Sequence, residues 1–216
     1  MIASVARFRF PSLRHREEAE RNGSDRVGPS LASQPGFQAI YYGRIAELQA
    51  LSISLFDDRE TADAAAVTMN AMPLLPGQVA EMLPTPEGVA LYDVANALVR
   101  DEVPAAGRMG YLTLAAGWDE AAADRWVFDA FRPTLEGVPG VCQAYFLRSH
   151  EGNDWISLTF WASPEAMQSG GAAIGSWQAG EASAGRRPAF VSGEAHTLTD
   201  LRVAIAGVPA TMPAPV

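Results

Sequence analysis

The chain has 216 residues, 48% hydrophobic and 19% charged, with a mean hydropathy of +0.00, enough apolar material for one large core or for two domains of about 100 residues. A formal charge of −9 and a pI near 4.8 argue against a nucleic-acid partner, which calls for a basic face. All 16 basic residues are arginine, so a lysine Schiff base, a lysine general base and the P-loop lysine are excluded.

In chain order, SVARFRF (4–10) alternates as a strand, and a helix over about 14–27 is weakened by Asn22 and Gly23. A hairpin follows, QAIYYGRI (38–45) to QALSISLF (49–56), and a second helix starts at Asp57 or Asp58. PLLPG (73–77) reads as irregular, GVALYDVANAL (88–98) as a closing strand and RDEVPAAG (100–107) as linker.

MGYLTLA (109–115) then opens the same order again. Asp119 is a suitable N-cap for EAAADRWVFDAFR, where Trp126, Val127, Ala130 and Phe131 fall at helical spacing, and the helix is expected to stop before Pro133. VCQAYFLRSH (141–150) and WISLTFW (155–161) form a hairpin across the turn EGND. Ser163 and Pro164 start a helix, SGGAAIGSW (169–177) reads as irregular, and EAHTLTDLRVAIA (194–206) is the last strand. The Pro-rich tail GVPATMPAPV is expected to fray or lie as an extended arm.

The two passes are copies. PGFQAIYYGR (35–44) returns as PGVCQAYFLR (139–148), with Pro35, Gly36, Tyr41 and Arg44 recurring as Pro139, Gly140, Tyr145 and Arg148, an offset of 139 − 35 = 104. Arg21, Asp25, Pro29 and Leu31 meet Arg125, Asp129, Pro133 and Leu135 at the same offset; one residue later in register, SISLF (52–56) meets SLTFW (157–161) and Glu60 meets Glu165. The order βαββαβ, present twice, is the ferredoxin-like unit, an antiparallel sheet with helices on one face. The expected fold is therefore α+β, two tandem ferredoxin-like modules packed sheet to sheet. Residues 1–102 form the N-terminal module, 103–107 the linker, 108–206 the C-terminal module and 207–216 the tail.

A PG-opened hairpin, a strand ending in LFDDRE or TFWASPEA and a following helix resemble the dimeric α+β barrel superfamily, and within it the antibiotic biosynthesis monooxygenase domain, here in tandem within one chain. The resemblance implies an intramolecular barrel with ligand pockets between helices and sheet. It also implies a small oxygenase or monooxygenase acting on an aromatic, polyketide-derived substrate in specialised metabolism. Molecular oxygen would be the cosubstrate, with no tightly bound cofactor; some relatives take reduced flavin from a partner reductase, and no dinucleotide fingerprint follows a strand here, so flavin would be a diffusible cosubstrate. The helical histidine of haem-degrading relatives is absent from RETADAAAVTMNAM and PEAMQSGGAAIG, which disfavours haem degradation.

Such an oxygenase must remove a proton from an electron-rich substrate and hold the anion. Tyr145 and His150 are candidate acid/base groups and Arg148 the anion stabiliser; Trp126, Trp155, Trp161, Trp177, Tyr41 and His196 are candidate substrate contacts. Each has a plain alternative. The paired tyrosines suit a core between sheets, His150 and His196 suit solvent, and His15 sits among charges near a helix start. His196 and Asp200 share a strand face, where an acid would orient the imidazole. Arg7 and Arg9 either lie in a polar interior, paired with Asp93 or Asp200, or bind an anionic substrate. The histidines have no spacing suited to a shared metal, and no G-x-S-x-G elbow marks a serine nucleophile.

The first half has no tryptophan, which points to the second half if only one pocket works. The alternatives to an oxygenase are a polyketide cyclase or isomerase in the same pocket and a non-catalytic ligand-binding barrel. With Cys142 the only cysteine, no internal disulfide or cysteine metal cluster forms; with no signal-like or membrane-length apolar run, a cytoplasmic monomer or homodimer of the fused barrel is expected.

Overall fold

A computed structural model describes residues 1–72, 85–150 and 153–205. The irregular stretch 73–77, the first two residues of the EGND turn and the tail 207–216 lie outside the described residues. The elements come in the order β1 (Ile2–Arg9), α1 (Leu13–Asn22), α2 (Gly28–Ala32), β2 (Phe37–Ala46), β3 (Gln49–Phe56), α3 (Arg59–Ala71), β4 (Gly88–Val99), β5 (Ala106–Leu114), α4 (Glu120–Trp126), α5 (Arg132–Glu136), β6 (Val141–Ser149), β7 (Asp154–Trp161), α6 (Pro164–Ser183) and β8 (Phe190–Ile205). The βαββαβ order thus occurs twice, as two tandem ferredoxin-like modules.

The chain forms two compact units, one over 1–91 with the end of β8 from Leu201, the other Tyr92–Asp200. In the first, β3 lies between β1 and β2, antiparallel to both, with Val5 and Tyr41 opposite Ile53. In the second the strand order is β8-β5-β7-β6, extended past β6 by β4 from Tyr92 onward. The closing strand of the first repeat therefore pairs, from Tyr92, with a strand of the second. β5 begins at Ala106, inside the stretch expected to be linker, because Ala106 and Gly107 already pair with Trp161 and Phe160.

The repeated Pro-Gly has a steric cause. Gly36 and Gly140 have φ of +75° and +78°, the left-handed region that favours glycine. A Cβ on either would also strike the helix packed over it, 2.5 Å from Thr61 Cγ2 and 2.6 Å from Ala166 Cβ. Their carbonyls accept the amides of Asp57 and Ala162 at 2.8 and 2.9 Å, which ties each hairpin entrance to the end of its second strand.

Two further expectations are corrected. The first long helix of each half does not stop at its proline. Residues Gly23–Val27 and Val127–Phe131 form a π turn, closed by amides of Gly28 and Arg132 donating to Gly23 and Val127 oxygens, and the helix resumes with Pro29 and Pro133 in its first turn. The widened turn removes the clash a proline makes inside an α-helix, and its missing N–H falls where little is lost. The glycine-rich 169–177 stretch, expected to be irregular, lies inside α6. Gly170 is buried where an added Cβ would lie 2.3 Å from the Trp161 ring, so the helix reaches the sheet only because this residue is small.

Both second helices are capped as their sequences suggest. Asp58 accepts from the Thr61 amide at 2.9 Å in a capping box, and Ser163 Oγ accepts from the Ala166 amide at 3.2 Å. Each unit packs its helices on one sheet face: Leu31, Phe37, Phe56, Ala62 and Ala65 form one such core, and Val127, Phe131, Leu135, Phe146, Trp161 and Ile174 the other. Among the described residues no helix is long and apolar enough to cross a membrane.

Candidate functional site

Strand alternation sorts the candidate residues of the second half. Ala144 and Phe146 of β6 face the helices, and Arg148 follows them on that face. Arg148 Nη1 donates to Asp124 Oδ2 on α4 at 3.0 Å, with Glu120 Oε2 at 4.0 Å. Opposite Arg148 in the β6–β7 register stands Trp155, 1% exposed, packed on Leu114 and on Ala123, the neighbour of Asp124. Two polar atoms here are buried without a hydrogen-bond partner: Trp155 Nε1 and Asp124 Oδ1. A buried donor and a buried acceptor left unsatisfied each cost on the order of 1–3 kcal/mol, and such atoms are what a bound polar group would relieve.

Burial pushes the Asp124 carboxyl above the ordinary aspartate value, Arg148 opposes that shift and Glu120 adds to it. Asp124 is thus an acid/base candidate that the sequence reading missed. The repeat itself carried the signal: Glu20 and Asp124, both acidic, stand 104 apart, as do Arg44 and Arg148, and Arg44 Nε donates to Glu20 Oε1 at 2.8 Å. The helix-to-strand ion pair is duplicated along with the fold.

Trp126, Trp161 and Trp177 do come together, in the helix-facing core with Phe131 and Phe146. Trp126 stacks on Trp177 and on Phe131, each at 5.6 Å between centroids, and Phe131 stands edge-on to Phe146 at 4.9 Å. Trp161 Nε1 donates to Thr159 Oγ1 at 3.1 Å. Trp155 lies in a neighbouring cluster, edge-on to Phe190.

The remaining candidates stand apart. Tyr145 alternates with Phe146, so it is on the opposite sheet face from Arg148 and the tryptophans, buried and edge-on to Phe160 at 6.3 Å. Tyr41 is its buried counterpart in the first unit. His150 follows the last residue of β6, with Nδ1 3.4 Å from Asp93 Oδ2, both partly exposed. His196 Nε2 lies 3.4 Å from Glu194 Oε2, and its ring is edge-on to Tyr111. His15 Nδ1 is 2.8 Å from Ser12 Oγ. Arg9, weighed as an anion ligand, is paired at 2.9 Å with Glu87 on the surface. Among the described residues no three His, Cys, Asp or Glu side chains are grouped to hold a metal.

Residues 106–169 match the family model described as antibiotic biosynthesis monooxygenase. That span contains the Arg148, Asp124 and Trp155 cluster and leaves out the first half. No curated protein matches the chain. Solved structures share its fold over almost its whole length. A candidate monooxygenase from Lactobacillus acidophilus NCFM is 13% identical with a TM-score of 0.69, covering 98% of this chain and 99% of that one. A second candidate monooxygenase, from Fusobacterium nucleatum, is 9% identical at 0.63, covering 98% and 97%. An anthrone oxidase-like protein is 15% identical at 0.53, covering 96% of each.

Proposed function

We propose that the chain, of which residues 106–169 match the antibiotic biosynthesis monooxygenase model, is a small monooxygenase that acts there on a planar aromatic substrate of polyketide type. The observation that carries the reading is the set Arg148, Asp124 and Trp155, which brings a cation, a carboxyl of raised pKa and an unsatisfied buried indole N–H to one helix-facing spot. Such chemistry needs a base to take an acidic C–H or phenolic proton and a cation to hold the resulting anion. Asp124 supplies the first and Arg148 the second, while the Trp155 N–H donates to a substrate oxygen. His150, oriented by Asp93, passes protons to solvent at the end of β6.

With an anthrone-type methylene the balance closes without another reductant. The substrate loses a proton to Asp124 and its carbanion gives electrons to oxygen. A C–O bond forms, the O–O bond breaks, the methylene becomes a ketone and one oxygen atom leaves as water. Where the substrate is less electron-rich, reduced flavin supplied by a reductase is the diffusible electron donor. Neither α3 nor α6 carries a histidine for haem.

Oxygen uptake with an anthrone, with and without reduced flavin, tests the proposal. Asp124→Asn and Arg148→Gln are each expected to lower the rate by about 100-fold or more. Uptake insensitive to both substitutions removes this site. Substrate binding without turnover favours the binding-protein alternative, and rearrangement of substrate without oxygen favours a cyclase.

A further inference from the structure

The first unit holds a different cluster at the place where the second has Asp124 and Arg148. Glu20, a buried α1 carboxylate at 6% side-chain exposure, receives three guanidinium groups. Arg44 of β2 reaches Oε1 at 2.8 Å, Arg202 of β8 reaches Oε2 at 3.1 Å, and Arg16, one helical turn before Glu20, has Nε 3.3 Å from Oε1. Arg202 Nη1 also donates to the Glu20 carbonyl at 3.3 Å, and Arg16 Nη1 to the Glu47 carbonyl at 2.7 Å.

Leaving Arg44 aside, Arg16 and Arg202 alone bring two positive charges to one negative charge in a partly desolvated layer, where like charges are poorly screened. The Tyr42 hydroxyl, within electrostatic reach of Glu20, Arg202 and Arg16, is buried without a hydrogen-bond partner, and Arg16 Nε has its 3.3 Å ion-pair approach to Glu20 Oε1 but no hydrogen bond. Neutralising Glu20 needs only one of these two cations. The excess charge and the unsatisfied donors point to a missing anion. Tyr42 packs with Phe8, Leu48, Phe10, Ala19 and Ala50, so the charge borders an apolar, partly aromatic surface.

We propose that the first half binds a small aromatic carboxylate, its carboxylate between Arg16, Arg202 and the Tyr42 hydroxyl and its ring against Phe8 and Leu48. Guanidinium forks match the planar carboxylate, and the Tyr42 hydroxyl donates to it. Arg44 and Arg202 are the more solvent-reachable members, with side-chain exposures of 26% and 34%, so the ligand enters on their side. The site does not depend on the catalytic reading of the second half.

Calorimetric titration of the full chain with benzoate, with benzyl alcohol as an uncharged aromatic control and inorganic phosphate as a bare anion, tests this. One benzoate is expected to bind, while benzyl alcohol does not compete and phosphate binds more weakly. Tyr42→Phe, which removes one atom, and Arg202→Gln should each weaken benzoate about tenfold or more. Glu20→Gln removes the competing carboxylate and should tighten binding several-fold, whereas arginines present only to neutralise Glu20 would give no gain. Arg148→Gln, in the other half, should leave benzoate affinity unchanged. No benzoate binding at millimolar concentration, equal binding of benzyl alcohol, tighter binding of phosphate, or loss of binding through Arg148→Gln in place of Tyr42→Phe would each overturn the proposal.

Discussion

At Asp124 a single carboxyl is pulled two ways, up by burial and the nearby Glu120 and down by Arg148. A group whose folded-state pKa lies above its unfolded value favours folding most at low pH and loses that advantage as pH rises through the raised value. Asp124 should therefore lower stability as pH climbs above the ordinary aspartate range. Denaturant unfolding of wild type and Asp124→Asn across pH 3–7 should show this as a pH-dependent difference between them, and a difference constant over that range would contradict the raised carboxyl. Asp58 has the opposite sign. Its carboxylate accepts from the Thr61 amide and is held below the ordinary value, so its contribution is present above that value and fades as pH falls. The Asp124 role was readable only by comparing the copies: one acid and one arginine, each 104 residues from its counterpart, gain meaning once α1 and α4 are seen to lie against β2 and β6. Strand periodicity alone divides Tyr145 from Arg148 between the two faces of β6, but it does not say which face the helices cover, and so which of the two lies with Asp124.

Among the elements, α6 is the one where local preference and packing disagree most. Glycines at 170, 171 and 175 lower helix propensity, which is why the stretch reads as irregular. The tertiary contact of Gly170 with Trp161 and Val138 prevails. Gly170→Ala should gain about 1 kcal/mol of helix propensity yet be destabilised overall, by roughly 1–3 kcal/mol, because the added methyl overpacks the ring. Gly175→Ala meets nothing within 4 Å and should stabilise by about 0.5–1 kcal/mol. Thermal melts of the two single variants measure both, and equal shifts would refute the packing account. Ser163→Ala, removing the α6 cap, should cost about 1 kcal/mol. Hairpins and caps were legible because turn and capping chemistry is local. The passage through Pro29 and Pro133 was not, since a proline's meaning depends on whether the preceding turn is α or π, and that is settled by packing.

At the scale of the whole chain, the duplication does more than repeat a module. The boundary of the compact units falls within β4 and β8, not in the 100–107 stretch, so cleaving the polypeptide there would not separate two self-sufficient sheets. A fragment of residues 1–102 carries β4 without β6, whose residues Gln143 to Ser149 are the partners of Val99 back to Tyr92. It would expose a long unpaired edge with apolar residues on it, the arrangement that invites strand addition and aggregation. The fragment also lacks Arg202, and so one of the three guanidinium groups on the buried Glu20 carboxylate. Expressed alone, residues 1–102 should dimerise or aggregate in sedimentation experiments. Co-expressed with residues 103–216 they should be recovered as a one-to-one complex, because strand pairing then has both halves of its register. A soluble monomeric 1–102 with native-like unfolding cooperativity would mean that the closing strand of the first repeat can satisfy itself, and that fusion of the copies contributes nothing to their folding.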